Sequence, residues 1–229
     1  MKFPTWGGKR KGAGRKQRLP GPRRVRHRVR PRLASRFPVH VTTRIRDDVP
    51  RLRNRTRCRV IRKAMLAVLD QPGFRITQFS VQRDHLHLVC EARSSEALSA
   101  GIKRFKIRVA RGINRQLGGR KGSVFHDRYH MEILRYPRQV RNTLCYVLQN
   151  ARRHGLGIPT DAGGADPYSS AWWFDGWKDK TWRAGLSPPS DGRACVSRPG
   201  TWLLRTGWRR HGLIGITEIP AAANHPKPK

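Results

Sequence analysis

Two histidines separated by one residue are the clearest chemical feature of the sequence. His85 and His87 lie in DHLHLVCEA, whose alternating apolar residues predict a β-strand. Side chains alternate along a strand, so both imidazoles would lie on one face, while Leu86, Leu88 and Cys90 would face the core. Two imidazoles placed two residues apart on a rigid strand can chelate one divalent ion. Because the chain has nine histidines, a chance pair is the alternative.

A tyrosine in a predicted helix offers a nucleophile. The segment from Pro137 to about Gly155 has helical periodicity, and Tyr146 lies outside its apolar stripe. On a helical wheel Asn150 follows Tyr146 by one turn on the same face, and Gln149 lies nearby among other polar residues. A phenol that a metal ion or nearby cations activate can act as a covalent nucleophile. A half-exposed surface tyrosine is the alternative.

The histidine pair and the tyrosine helix together predict a metal-assisted site. His85, His87 and the amide oxygen of Asn150 would supply three nitrogen and oxygen ligands, with open positions left over. Such a ligand set accepts Mg²⁺ or Mn²⁺ when a phosphate supplies the rest. An ion held there polarises a scissile phosphate. Glu91, on the same strand face, is a candidate for orienting or supplementing the ligands.

The composition indicates a polyanionic partner. The 229 residues include 50 Lys plus Arg but only 14 Asp plus Glu, for a formal net charge of +36. We therefore expect nucleic acid as the partner, and the imbalance excludes a typical metabolic enzyme surface. The four cysteines form no C-x-x-C pair, which argues against a zinc finger and favours a reducing cytoplasm. No apolar run predicts a signal peptide, a membrane span or a membrane partner.

Three regions of the chain differ in composition. Residues 1–36 carry 14 basic residues and no acid, which predicts a disordered arm that clamps DNA phosphates, or else a solubilising tail. Residues 37–156 would form the catalytic domain. Residues 157–229 hold six of the seven tryptophans, which either pack on that domain or stack unpaired bases. The phosphate-contacting candidates in the arm are Lys9, Arg10, Lys11, Arg15 and Lys16.

The periodicity of residues 37–156 predicts the order β-α-β-β-α-β-α. The first six elements match the split βαβ plan, so we expect an α+β, ferredoxin-like fold. Two long helices would cover one face of an antiparallel sheet, and the extra helix with Tyr146 would lie near the other. The predicted strands are 37–46, 74–82, 85–91 and 124–134, and the predicted helices are 50–69, 95–117 and 137–155.

Several arginines are candidates for contacts to DNA. One set recurs at helical spacing on the outer side of the second helix, where a phosphate contact and a merely solvated face are both open. Arg128 shares a predicted strand face with His126 and His130, and Arg153 lies in the Tyr146 helix. The recurring set is Arg104, Arg108, Arg111 and Arg115.

Several segments together resemble the single-tyrosine HUH transposases, in particular the REP-associated tyrosine transposases of bacteria. The resemblance implies that His85 and His87 are the HUH pair and that Tyr146 is the nucleophile. It implies that Asn150 is the further metal ligand, with Gln149 as the fallback. The segments are HVTTRIR, SVQRDHLHLVCEA, FHDRYHMEILRYPRQVRNTLCYVLQNARRHG and GGKRKGAGRK.

That resemblance also implies an activity and a setting. Such a protein would be a site-specific single-stranded DNA endonuclease and strand transferase that cuts at hairpins through a 5′-phosphotyrosine bond. It would use Mg²⁺ or Mn²⁺ and would work in the bacterial cytoplasm at the nucleoid. Both a monomer and a homodimer are compatible with the sequence. The alternative function is a catalytically idle, domesticated transposase that binds palindromic DNA as a regulator.

Overall fold

The computed structural model describes residues 30–69, 71–126, 128–156, 158, 164–188 and 192–220. The predicted phosphate clamp of Lys9, Arg10, Lys11, Arg15 and Lys16 lies outside these residues. From Pro31 onward the described residues belong to one compact unit. Among them, no helix has the length and apolar character needed to cross a membrane.

Four antiparallel strands form the sheet, in the spatial order β2-β3-β1-β4. With a helix after β1 and another after β3, this order is the ferredoxin-like arrangement, so the predicted α+β fold is confirmed. The strands are β1 (Val39–Arg44), β2 (Phe74–Val81), β3 (His85–Ala92) and β4 (His130–Ile133).

The fourth strand is shorter than its predicted range of 124–134. Phe125 forms only an isolated bridge with Ile45, and the ladder with β1 begins at His130, which pairs with Thr42. From Ile45 to Thr42 is three residues along β1, whereas from Phe125 to His130 is five residues along the other strand. The described residues between Phe125 and His130 therefore do not pair with β1. The prediction that His126, Arg128 and His130 share one strand face was wrong, because alternation holds only along a continuous strand.

Two long helices cover one face of the sheet, which we call the α1–α2 face. Helix α1 (Arg55–Leu66) begins later than Pro50, because the Asn54 side chain accepts hydrogen bonds from the first-turn amides and caps it there. Helix α2 (Ser95–Gln116) is capped by Ser94, whose side chain accepts a hydrogen bond from the Ala97 N–H. The helices bury their apolar stripes against Leu86 and other residues of the strands.

Gly101 allows the close packing of α2 on the sheet. A Cβ atom at this position would lie 2.2 Å from the ring of Phe74, which is far inside van der Waals contact. The absence of a side chain at Gly101 therefore sets how near α2 can approach β2.

The opposite face, which we call the α3 face, carries a broken helix. Helix α3 (Pro137–Leu148) ends where Gln149 adopts φ −110° and ψ 15°, and α4 (Asn150–Arg153) follows. The prediction of one continuous helix to Gly155 was therefore wrong in detail. Val89 of β3 joins Val140 and Leu144 of α3 in a second hydrophobic cluster on this face.

The C-terminal extension packs into that second cluster. It contains a 3₁₀ helix at Ala171–Trp173, helix α5 (Trp202–Arg205) and a 3₁₀ helix at Gly207–His211. Trp177 and Trp208 are almost completely buried around Phe174. These tryptophans therefore serve packing rather than base stacking. Trp202 differs, because half of its surface is exposed.

A charged anchor ties the end of the extension to α3. Both carboxylate oxygens of Glu218 accept hydrogen bonds from Arg141, at 2.8 and 2.9 Å. Glu218 also accepts a hydrogen bond from the backbone N–H of Gly215. The hydrogen bonds from Arg141 lower the pKa of Glu218 below its ordinary value of 4.5, although partial burial acts in the opposite direction.

Acid should weaken this anchor. A carboxyl group whose pKa is lower in the folded protein stabilises the fold above its unfolded-state pKa, and that contribution disappears as the pH falls through the folded-state value. We expect Glu218→Gln to be less stable than the unaltered protein at pH 7, with the difference shrinking below about pH 4.5. Urea unfolding of both proteins across this pH range measures the effect. A pH-independent difference would contradict it.

Candidate active site on the α3 face

Strand β3 brings the two predicted histidines together on the α3 face. The ring centroids of His85 and His87 lie 4.7 Å apart. His87 is buried, while the His85 side chain is 27% exposed. Leu86 and Leu88 point into the core of the α1–α2 face. The pair therefore has one sheltered ring and one ring open to an approaching ligand.

Tyr146 lies edge-on against this pair. Its ring centroid is 5.1 Å from that of His87, with the two planes at 81°. The guanidinium of Arg153, on the next helix, lies 5.5 Å from the centre of the Tyr146 ring. The predicted nucleophile thus adjoins both a predicted metal ligand and a cation, and all three belong to one chain.

The two side-chain amides that follow Tyr146, those of Gln149 and Asn150, differ in their hydrogen bonds. Gln149 is fully buried, and its Nε2 donates to the carbonyls of Gly215 and Ile216, at 3.1 and 2.6 Å. Asn150 is also fully buried, but neither its Oδ1 nor its Nδ2 has a hydrogen-bond partner among the described residues. Although Gln149 Oε1 is unpaired as well, its amide is anchored to the extension. Asn150 is therefore the better candidate ligand.

A third histidine, which the sequence reasoning missed, supports the pair. Nδ1 of His87 shares a hydrogen bond with His40 Nε2 at 3.1 Å and another with Thr42 Oγ1 at 3.2 Å. The His40 ring stacks on His87 and meets Tyr146 edge-on. The sequence does show that His40 and Thr42 lie on the non-core face of β1, because apolar residues alternate with them. This places them beside the histidine pair only once it is known that β1 pairs directly with β3.

Asp84 orients the more exposed histidine. Its Oδ1 lies 2.7 Å from His85 Nδ1, at the tight turn between β2 and β3. Burial raises the pKa of Asp84, but the hydrogen bond with His85 and the charges of His85 and Arg44 outweigh it, so this pKa lies below its usual value. A carboxylate on the far nitrogen of a ligating imidazole fixes its orientation and raises its basicity. This contact could have been predicted from the sequence DHLH, in which Asp84 directly precedes His85.

Glu91, expected near the histidines, serves another part of the molecule. Its carboxylate accepts hydrogen bonds from the backbone N–H groups of Gly200 and Thr201, at 2.8 and 2.7 Å. It lies on the α3 face, but four residues beyond His87 along β3. The expectation that Glu91 supplements the ligands was wrong, because the extension occupies it.

The predicted DNA-contacting arginines fall on two sides of the sheet. Arg153 lies at the Tyr146 ring, and Arg128 is exposed in the segment before β4. The arginines of α2 are all exposed, but their helix covers the α1–α2 face, on the side of the sheet away from the histidines. Those residues are Arg104, Arg108, Arg111 and Arg115. A DNA segment bound along α2 is therefore not the segment that reaches Tyr146.

Tyr129 is another tyrosine that could be considered as the nucleophile. Its hydroxyl lies 3.2 Å from Ser99 Oγ on α2, and its ring packs against the core of the α1–α2 face. It therefore lies on the wrong side of the sheet to share a site with His85 and His87.

The donor set of the site suits a hard divalent cation. Among the described residues, no cluster of three or more His, Cys, Asp or Glu side chains is placed to hold a metal. The predicted set consists instead of two imidazoles and the amide of Asn150, which is buried without a hydrogen-bond partner in that part of the chain. Imidazole and oxygen ligands with open positions fit Mg²⁺ or Mn²⁺ that also binds a phosphate.

Comparison with known proteins identifies a family and a similar fold. Residues 34–150 match the family model described as "Transposase IS200 like". A solved structure of a REP-associated tyrosine transposase bound to a REP hairpin is similar in fold, with a TM-score of 0.52 at 16% sequence identity. The similarity covers 77% of this chain and 100% of that chain. A search of curated proteins gives no match.

Proposed function

Because the chain belongs to the IS200-like transposase family, we propose that it nicks and rejoins single-stranded DNA at hairpin or palindromic repeats with Tyr146 as nucleophile. The observation that carries this proposal is the contact of Tyr146 with His87, whose ring centroids lie 5.1 Å apart. That contact places a phenol beside a histidine pair on one sheet face, which a purely structural tyrosine does not require.

The proposed reaction is an exchange of phosphodiesters. The oxygen of Tyr146 attacks the scissile phosphorus in line with the leaving 3′-oxygen, so one P–O bond forms as another breaks. The phenol loses its proton, and the leaving oxygen takes one up to become a 3′-hydroxyl. The 5′-phosphate stays on the tyrosine. Attack by a different 3′-hydroxyl reverses the step and joins two strands without an external energy source.

The chain's own residues divide the work of the site. His85, His87 and Asn150 would hold the cation, which would neutralise charge on the scissile phosphate when bound. Asp84 and His40 keep the two imidazoles in place by hydrogen bonds to their Nδ1 atoms.

Arg153 contributes positive charge at the nucleophile. Its guanidinium lies 5.5 Å from the centre of the Tyr146 ring. A cation at this position would attract the phosphate that the Tyr146 oxygen attacks.

Two observations favour hairpin DNA as the substrate. The net charge of +36 favours a polyanionic partner such as DNA. The similar solved structure is bound to a REP hairpin, although at 16% identity its likeness to this chain is one of fold.

A covalent adduct tests the proposed function. The protein is incubated with a labelled single-stranded hairpin oligonucleotide in Mn²⁺, in Mg²⁺ or in EDTA, and then denatured. We expect a slow-migrating protein–DNA species with either metal but not with EDTA, and its cross-linked peptide should contain Tyr146. Tight hairpin binding without any adduct would contradict the enzyme and favour the DNA-binding regulator. An adduct on another residue would contradict the assignment of Tyr146.

His40 should control metal affinity as a positioning residue. Loss of an outer partner of a ligating histidine typically lowers metal affinity about 10- to 100-fold. We expect His40→Ala to raise the Mn²⁺ concentration for half-maximal cleavage about 10-fold, near the low end because Thr42 also contacts His87. The rate at saturating Mn²⁺ should change little, and His40→Gln should restore part of the affinity.

A histidine remote from the site provides the control for that titration. His211 is exposed in the extension, so His211→Ala should leave the Mn²⁺ dependence unchanged. An unchanged half-saturation concentration in His40→Ala would show that the His40–His87 hydrogen bond has no part in metal binding.

A further inference from the structure

A second cleft opens at the other end of the α3 face. It has a volume of about 780 Å³ and lies where the end of β3, the start of α3 and helix α5 meet. We call it the Trp202 cleft. Nothing in the reaction proposed for Tyr146 uses it. Its most informative lining residues are Phe37, Trp202, Arg36, Arg75, Arg93 and Arg135.

The charge of the Trp202 cleft is strongly positive. All four of its arginines are exposed. Glu91 is the one carboxylate in the described lining, and it already accepts two backbone hydrogen bonds from Gly200 and Thr201. Among the described residues, Arg75 is the only one of these four arginines that forms an ion pair with an acid, with its Nε 3.7 Å from Glu91 Oε2. Three guanidinium groups therefore face the cleft without an acidic partner in that part of the chain.

The cleft combines this charge with accessible aromatic surface. Trp202 is 50% exposed, with the guanidinium of Arg210 5.0 Å from its ring centre, whereas Trp177, Trp182 and Trp208 of the same extension are buried. The guanidinium of Arg135 lies 5.3 Å from the ring centre of Phe37. An exposed ring among cations is typical of sites that bind single-stranded nucleic acid, because a base stacks on the ring while the cations contact the phosphates.

Two elements connect this cleft to the candidate active site. Glu91 lies four residues beyond His87 on β3, which corresponds to about 13 Å at about 3.3 Å per residue. Pro137, also in the lining, lies nine residues before Tyr146 on α3, again about 13 Å at about 1.5 Å per residue. Stacked nucleotides rise about 3.4 Å each, so about four of them span this distance.

We propose that the Trp202 cleft binds an unpaired nucleotide of the substrate strand, about four nucleotides from the scissile phosphate. Its base would stack on Trp202, and the arginines would contact the flanking phosphates. The proposal rests on the proposed function, since it takes the strand that enters the Tyr146 site as its ligand. It assigns recognition of the single-stranded flank to the C-terminal extension, and recognition of the duplex stem to other surfaces.

Binding measurements on an uncleaved complex test the proposal. Tyr146→Phe protein is titrated, without divalent metal, against labelled hairpins with a 5′ flank, a 3′ flank or no flank. In this background, Trp202→Ala should weaken binding of one flanked hairpin about 10-fold and leave the flank-free hairpin unchanged. Trp202→Phe should retain most of the affinity, because a ring remains. The loss should vanish when the flank is trimmed below about four nucleotides.

Matched variants keep the test independent of folding and of the nuclease. Arg93→Ala removes one exposed cleft cation and should weaken the same flanked hairpin, whereas Arg205→Ala removes an exposed cation of α5 outside the lining and should not. Equal losses with and without the flank, or no loss in Trp202→Ala and Arg93→Ala, would overturn the proposal. These titrations measure binding and involve no cleavage. A failed adduct assay would therefore contradict the proposed nuclease activity, while the effect of the cleft variants on binding could still be interpreted.

Discussion

Replacing Tyr146 with phenylalanine should abolish cleavage of hairpin DNA, by a factor of at least about 10⁴, while hairpin binding stays within about twofold. The substitution removes only the attacking oxygen. The phenylalanine ring retains the edge-on contact with His87 and the position near Arg153, so the surrounding packing is conserved. Single-turnover cleavage in Mn²⁺ and a gel-shift titration in EDTA measure the two quantities separately.

Another tyrosine of the chain supplies the control for this substitution. Tyr136→Phe changes a residue that is 67% exposed just before α3, and we expect normal adduct formation. If Tyr146→Phe still formed a denaturation-resistant adduct, Tyr146 would not be the nucleophile.

Mixing two inactive variants should not restore activity. Tyr146 contacts His87 within one chain, so the structure contains a complete nucleophile and histidine pair without a partner. A mixture of Tyr146→Phe and His87→Ala therefore lacks an intact site, and we expect no adduct above that of either variant alone. Recovery of a substantial fraction of the activity would show that the tyrosine acts in trans in a homodimer.

The parts of the site that were predictable depend on local periodicity. Alternation along one strand suffices to place His85 and His87 on the same face, whatever the strand pairs with. Ser94 caps α2 because a serine before a run of helical residues satisfies their free amides, which involves only neighbouring residues. Predictions of this kind succeed because the forces that decide them act within a few residues.

Long-range contacts decided what could not be predicted. Helical periodicity placed Gln149 and Asn150 with the polar residues around Tyr146, but both are fully buried. The reason is the extension, whose carbonyls at Gly215 and Ile216, 66 and 67 residues further on, receive the Gln149 amide. The role of His40 depends in the same way on the pairing of β1 with β3. No local pattern carries either fact.

A buried ion pair holds the beginning of the extension against the sheet. Arg53 donates to both oxygens of Asp166, at 3.0 and 2.8 Å, and also to the carbonyl of Val81 at the end of β2. The Asp166 side chain is fully buried, and that of Arg53 is 10% exposed. Removing one partner of such a pair leaves the other charge buried and uncompensated, which costs about 3–5 kcal/mol.

We therefore expect Asp166→Ala to lower the free energy of unfolding by about 3–5 kcal/mol, as measured by urea denaturation. Asp47→Ala is the matched control, since the Arg44–Asp47 pair is 60% and 78% exposed and should contribute less than about 1 kcal/mol. The double variant Arg53→Met, Asp166→Leu should recover much of the loss, because an apolar pair removes the uncompensated charge. A loss as small as that of Asp47→Ala would mean that water reaches Arg53 and that the extension is not held on the sheet as described.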